Sequence, residues 1–142
     1  MGTPAWGRVL PDPSTLEEPF WTGCREQKLM LQRCERCGKL LYPPTPLCRR
    51  CQGVTLAWEE VAPPYGKIAT YTVNHQQWLP ELDVPYVLAM AELDIDPHIR
   101  VTSVLIGVPT SLVQIGLPVQ VEFVDAEGLR LPVLAPRPAE TT

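Results

Sequence analysis

Four cysteines in the order Cys34-x2-Cys37-x10-Cys48-x2-Cys51 are the residues of this chain whose type and spacing point to chemistry. Each CxxC pair sets two thiolates on one tight turn, and two such turns supply the four sulfurs that a tetrahedral Zn²⁺ binds at about 2.3 Å. A centre closed by four sulfurs keeps no position for water or substrate, so one zinc ion per chain is expected in a structural role rather than as a Lewis acid. Gly38, one residue past Cys37, and Gly53, two past Cys51, suit turns that wrap backbone N–H groups around the sulfurs. The doubled motif with its short spacer is read as zinc in preference to two disulfides, a redox dithiol, or iron on the same four sulfurs. Bound metal contributes on the order of 10 kcal/mol to folding such a segment. Without it, residues 33–52 are expected to be disordered.

The rest of the chain is poor in catalytic types. His75 and His98 are its only neutral-pH bases, and neither belongs to a recognisable nucleophile pair or triad. Both read as surface or satisfied histidines. Cys24 is left over as an odd thiol and reads as a small buried apolar residue. These residues point away from an enzyme in its own right.

Seven of the twelve basic residues (Arg25, Lys28, Arg33, Arg36, Lys39, Arg49 and Arg50) fall between positions 25 and 50, against Glu26 and Glu35, although the whole chain carries −4. The metal segment is a basic surface on an acidic protein. That charge either balances the thiolates or forms a docking surface for an anion or an acidic partner, with Arg49 and Arg50 as contact candidates. Coenzyme A held by these arginines is a further possibility, but no Gly-rich anion cradle accompanies them.

A chain of 142 residues suits one core-forming domain with a small appendage, burying roughly 68% of its unfolded surface. No apolar run approaches the roughly 20 residues that span a bilayer, and Met1-Gly2-Thr3-Pro4 does not open a signal peptide. Metal-type cysteine spacing with an odd thiol agrees with a reducing compartment, so a cytoplasmic protein is expected.

The elements that position the cysteines follow from pattern. Residues 1–13, rich in Pro and Gly, read as an extended arm carrying Trp6. A helix is expected over 16–27, with Ser14 and Thr15 as N-cap types, Glu17 and Glu18 following, and Pro19 in the first turn. Leu16, Phe20 and Cys24 share its apolar face, flanked by Trp21. Lys28–Arg33 alternates into the first metal turn, Tyr42–Pro46 forms a stiff extended spacer, and Val54–Val61 reads as a strand. Pro63-Pro64 then marks a hinge. Five strands follow: 67–75, 86–93, 99–108, 119–124 and 129–133. Strands of this length and number argue for a small barrel, and a five-stranded Greek-key barrel of the OB type closes most exposed edges. The expected fold is mostly β: arm and helix (1–30), zinc ribbon (31–62), OB barrel (63–136) and flexible tail (137–142), fraying from Ala135.

The loop from Gln76 to Val84 is long for a hairpin and carries Trp78 among polar residues. Trp78 either anchors a partner or acyl chain or folds back over the open end of the barrel. Nucleic acid is the rival ligand class for a ribbon and an OB barrel. An acidic barrel argues against it: Glu81, Asp83, Glu92, Asp94, Asp96, Glu122, Asp125 and Glu127 outnumber Lys67, Arg100 and Arg130.

Taken together, several stretches of the chain resemble the archaeal and bacterial domain-of-unknown-function 35 (DUF35) family. They are Pro19-Phe20-Trp21, Leu31-Gln32-Arg33-Cys34-Glu35-Arg36-Cys37-Gly38, Tyr42-Pro43-Pro44, Leu47-Cys48 to Cys51, Gly66-Lys67-Ile68, Tyr71-Thr72-Val73, Pro85-Tyr86-Val87, Ile115-Gly116 and Pro118-Val119. The likeness covers about residues 16–136. It implies a rubredoxin-like zinc ribbon joined to an OB fold, in a non-catalytic subunit beside an acyl-CoA enzyme. That enzyme is usually of the thiolase superfamily (a thiolase or steroid side-chain retro-aldolase) and sometimes a hydratase. The acyl-CoA substrate is then met mainly through the partner, in a hetero-oligomer for which two-plus-two is the natural symmetry. Phe20, Trp21, His75 and Trp78 join the two arginines as partner- or substrate-contact candidates.

Overall fold

A computed structural model describes residues 16–78 and 83–138. The expected arm with Trp6, the cap candidates Ser14 and Thr15, and the last four residues lie outside them. One helix is followed by a three-stranded sheet and a closed five-stranded barrel.

Helix α1 runs over Glu18–Arg25, shorter than the expected 16–27. Pro19 sits in its first turn with Glu17 as the N-cap residue. At the other end Gln27 takes a left-handed backbone (φ 63°) and the Lys28 N–H donates to the Gly23 carbonyl at 2.7 Å, so the chain reverses into the first strand. Leu16, expected on the apolar face, precedes the helix and is 51% exposed. Phe20 and Cys24 are buried as expected. A side chain at Gly23 would run into Met30 and the Lys28 carbonyl, so glycine sets how closely α1 lies on the sheet.

Strand β1 (Leu29–Cys34) is the centre of the ribbon sheet, paired antiparallel with β2 (Leu40–Leu41) and β3 (Leu56–Val61). The barrel strands are β4 (Tyr65–Asn74), β5 (Tyr86–Leu93), β6 (Asp96–Leu105), β7 (Pro118–Ala126) and β8 (Leu129–Pro136). They close in the order β4-β5-β6-β8-β7, with β7 returning to β4 through Tyr65–Lys67. This is the OB topology, with β6 and β8 meeting in parallel at Leu105 and Leu134. At that closing segment Gly66 also lets β4 lie close on β5, because a Cβ there would collide with the Glu92 carbonyl.

Strand ends shift by one or two residues from the sequence reading in β3, β4 and β7, and three boundaries differ by more. Asp96–His98 belong to β6, which was expected to begin only at 99: the reversal is the two-residue Asp94-Ile95 connection, and the Asp96 carboxylate accepts the His98 N–H at 3.0 Å. Strand β6 ends at Leu105 instead of 108, where Gly107 (φ 76°) turns the chain. Ala135 and Pro136, read as frayed tail, complete β8 against Gln120 and Val119. Arg137 then pairs with Asp94 at 2.7 Å and lies over the Tyr65 ring at 5.0 Å. Cations far along a proline-rich terminus give no periodic signal, so such docking has no sequence signature.

One core joins the parts. Phe20, Leu29, Leu31, Leu40 and Val61 pack in a single cluster with Ile68, Val87, Ala89, Val101, Val121 and Leu134 of the barrel. Helix α1 lies against β1 and β8, and its Trp21 also reaches a second cluster outside the barrel around Val104, Leu131 and Val133. The cysteines have a separate satellite core with Leu41 and Leu56.

Candidate metal centre

The two cysteine turns are built alike. In the first, Gly38 N–H donates to the Cys34 carbonyl (2.8 Å) and Cys34 N–H to Lys39 (2.9 Å); in the second, Gln52 N–H donates to Cys48 (2.8 Å) and Cys48 N–H to Gly53 (2.9 Å). Gly38 supplies the expected left-handed backbone (φ 78°). In the second turn that conformation falls on Gln52 (φ 63°). Gly53 is small for another reason: a Cβ there would meet the Cys51 sulfur at 3.2 Å and the Arg36 side chain at 3.3 Å.

The four sulfurs converge, all lying within 4.8 Å of one another. Cys34 and Cys51 Sγ are 3.5 Å apart, and Cys37 and Cys48 Sγ 3.6 Å. A tetrahedron with bonds of about 2.3 Å places its sulfurs roughly 3.8 Å apart, so the cage fits Zn²⁺. Backbone N–H groups of Arg50 (3.3 Å) and Cys51 (3.5 Å) point at Cys48 Sγ, and that of Gly53 (3.4 Å) at Cys51 Sγ. Donors from Cys51 and then Arg50 pull the Cys48 thiol down to about 6, against burial, and those of Cys37 and Arg36 lower Cys34 in the same way. Cys51 goes the other way: against the Gly53 N–H, burial and the sulfurs of Cys34, Cys37 and Cys48 push its thiol up to about 11, so the free protein favours thiolates at Cys34 and Cys48 and a metal must displace a proton from Cys51. Cys34, Cys37, Cys48 and Cys51 form the zinc site, and all four sulfurs are taken.

Three interactions hold the turns in register. Gln32, buried in β1, donates from Nε2 to the Thr45 carbonyl (3.0 Å) and accepts the Thr45 N–H on Oε1 (2.8 Å). Arg33 grips Glu59 across the sheet through Nε (2.9 Å) and Nη2 (2.7 Å) while Nη1 donates to the Gly38 carbonyl (2.7 Å). Arg49 donates to the carbonyls of Tyr42 (3.2 Å) and Pro43 (2.8 Å). Sequence reasoning passed over Gln32, although a lone amide in an apolar strand is the type of signal that marks a buried polar clamp.

The contact candidates divide. Phe20 is 4% exposed, its ring edge-on to Trp21 at 5.0 Å and 5.9 Å from Tyr42, so it belongs to the helix–ribbon junction and presents no surface to a partner. Trp21 is half-buried, its Nε1 donating to Glu17 at 3.1 Å. Arg49 is exposed but spends its guanidinium on the spacer, whereas Arg50 is exposed with no side-chain partner among the described residues. His75 is exposed beyond the end of β4. Trp78 is 69% exposed, which overturns the folded-back alternative. Most of the loop beyond it, Leu79–Leu82, lies outside the described residues.

Cys24 is fully buried, and burial pushes its thiol up to about 12, which makes it inert. Among the described residues no nucleophile and base are brought together. The barrel's Arg100, Arg130 and Arg137 are each engaged by a carboxylate, Glu92, Asp125 and Asp94.

Comparison with known proteins agrees with this architecture. The rubredoxin-like zinc ribbon domain of ChsH2 matches residues 21–59, and the C-terminal OB-fold domain of ChsH2 matches residues 58–124. A probable enoyl-CoA hydratase alpha subunit of Thermomonospora curvata is 32% identical over 123 residues, covering 84% of this chain; the chain spans 37% of that relative's length. A DUF35 domain-containing scaffold protein of Methanocaldococcus jannaschii is 30% identical over 105 residues, covering 72% of this chain and 73% of the scaffold protein. Among solved structures, a chain of the Ltp2-ChsH2(DUF35) aldolase superposes with a TM-score of 0.78 at 28% identity, covering 91% of this chain and 98% of its own.

Proposed function

This chain belongs to the DUF35 family of zinc-ribbon/OB-fold proteins, and we propose from that premise that it is a non-catalytic subunit of an acyl-CoA-processing complex. The observation that carries the reading is the likeness to the aldolase chain over nearly the whole of both molecules.

The partner is a thiolase-superfamily enzyme, a thiolase or retro-aldolase, in a two-plus-two assembly. The barrel and its Trp78 loop form a wall of the partner's substrate channel, excluding water without supplying acid, base or nucleophile. The acyl-CoA is bound mainly by the partner. Zinc keeps the ribbon rigid against it. No helix among the described residues is long and apolar enough to cross a membrane, and the reduced four-thiolate site suits the cytoplasm. An enoyl-CoA hydratase is the second reading for the partner, favoured by the hydratase relative.

The test is reconstitution. The purified chain alone should turn over no acyl-CoA, and adding it to its separately purified partner should raise that enzyme's kcat/KM or its yield of stable enzyme. Turnover by the chain alone would defeat the proposal.

A further inference from the structure

A cleft of about 430 Å³ lies between the first cysteine turn and the start of β6, walled by Arg33, Lys39 and Arg50 on the ribbon side and by Ile95, Asp96 and His98 on the barrel side. Its volume is in the range of small-ligand sites. Arg33 is committed to Glu59 and to the Gly38 carbonyl. Lys39 and Arg50 have no carboxylate partner among the described residues. Asp96, the acidic group in the wall, is turned to the His98 backbone N–H (3.0 Å) and to the His98 ring (3.3 Å).

Balancing the thiolates is the alternative use for these cations. The sulfurs, however, take their hydrogen bonds from backbone N–H groups of Arg50, Cys51 and Gly53. Among the described residues no hydrogen bond joins the Lys39 ammonium or the Arg50 guanidinium to a sulfur. Lys39 beside the first cysteine turn and Arg50 in the second line one polar cleft with no carboxylate or sulfur partner among the described residues, and charged donors of this kind bind anionic oxygens.

We propose that this cleft binds a phosphate-bearing anion through Lys39 and Arg50. The inference deepens the proposed function and rests on it only for the origin of the phosphate, which in an acyl-CoA complex is the nucleotide end of coenzyme A. Arg33, fixed by Glu59, forms the rigid back wall.

The experiment is calorimetric titration of the isolated zinc-loaded chain with inorganic pyrophosphate, coenzyme A and dephospho-coenzyme A. Saturable one-to-one binding is expected, weakened about tenfold or more by Lys39→Gln and by Arg50→Gln, each of which removes a charge-assisted hydrogen bond. Arg130→Gln, at the far hairpin, should leave it unchanged. Coenzyme A binding tighter than the other two probes assigns the 3′-phosphate as the recognised group; equal binding of all three assigns the phosphoanhydride, whatever molecule carries it. No saturable binding of any probe, or equal loss in Arg130→Gln, overturns the proposal. Both cleft variants should retain zinc, because Lys39 and Arg50 serve the metal turns through backbone atoms alone. The test needs no partner, so failure to capture an enzyme would defeat the subunit reading and leave this result standing.

Discussion

Gln32 and Thr45 close a two-bond ring between a side chain and a backbone, with the amide of one buried strand residue reading both the N–H (2.8 Å) and the C=O (3.0 Å) of a spacer residue 13 positions away. The clamp fastens the proline-rich spacer to β1 between the two cysteine turns, and so sets where the second turn meets the first.

Replacing Gln32 with Leu keeps the volume but strands two polar backbone groups at a buried site. A loss of about 2–3 kcal/mol is expected in denaturant unfolding of the zinc-loaded protein, together with faster zinc exchange. Unchanged stability would mean that water takes over both bonds.

Gly66 is the closure point of the barrel. Gly66→Ala puts a methyl group into the Glu92 carbonyl, and a destabilisation of roughly 3 kcal/mol or more is expected, since backbone on both sides must move. Thermal unfolding measures it. Gly128→Ala, whose new carbon would meet nothing within 4 Å, is the comparison. It should cost less and act only through the strained left-handed backbone (φ 91°).

Zinc removal should be local. The cysteines pack in their own small cluster, whereas Phe20, Leu29 and Leu31 belong to the barrel's core. Chelation is expected to melt the two turns and the spacer while amide signals of β4–β8 persist. A thiol titration should find four reactive sulfurs after chelation and a fifth, Cys24, only on global unfolding. Collapse of the barrel on chelation would contradict the separation of the two clusters.

Acid should release the metal. Cys48 falls from 9.0 to about 6 in the folded chain, so the native state holds fewer protons than the unfolded one between those values. The stabilisation from that thiolate is full above about 9 and is lost as pH falls through about 6. Zinc release followed with a coloured chelator should be slight at neutral pH and rise in acid, as protons compete with the metal for the thiolates. Release that is flat from neutral pH into acid would contradict that competition.

The architecture was legible where residue type alone dictates geometry. Paired CxxC turns admit few structures, and the alternation from Lys67 to His75 or the nearly continuous apolar run from Tyr86 to Leu93 marks strands whatever their neighbours. What stayed hidden depends on tertiary pairing. Leu16 has the helical spacing to Phe20 but precedes the first turn set by Glu17 and Pro19. Arg33 and Glu59 are 26 residues apart and meet only because β1 pairs β3. His98 beside Asp96-Pro97 has the composition of a turn, yet the Asp94-Ile95 reversal places it in β6. The four metal ligands were therefore readable, the Gln32 and Arg33 contacts that hold their turns were not, and the cleft beside them was visible only as a count of positive charges.

The most direct measurement is gentle affinity capture of the tagged chain from its own cells, with mass spectrometry of whatever remains bound in near-equal amounts. The account predicts a thiolase-superfamily or hydratase enzyme at one-to-one stoichiometry, lost or weakened in Trp78→Ala while zinc content and melting temperature are unchanged. Capture of nucleic acid, or of no protein in stoichiometric amount, would contradict it.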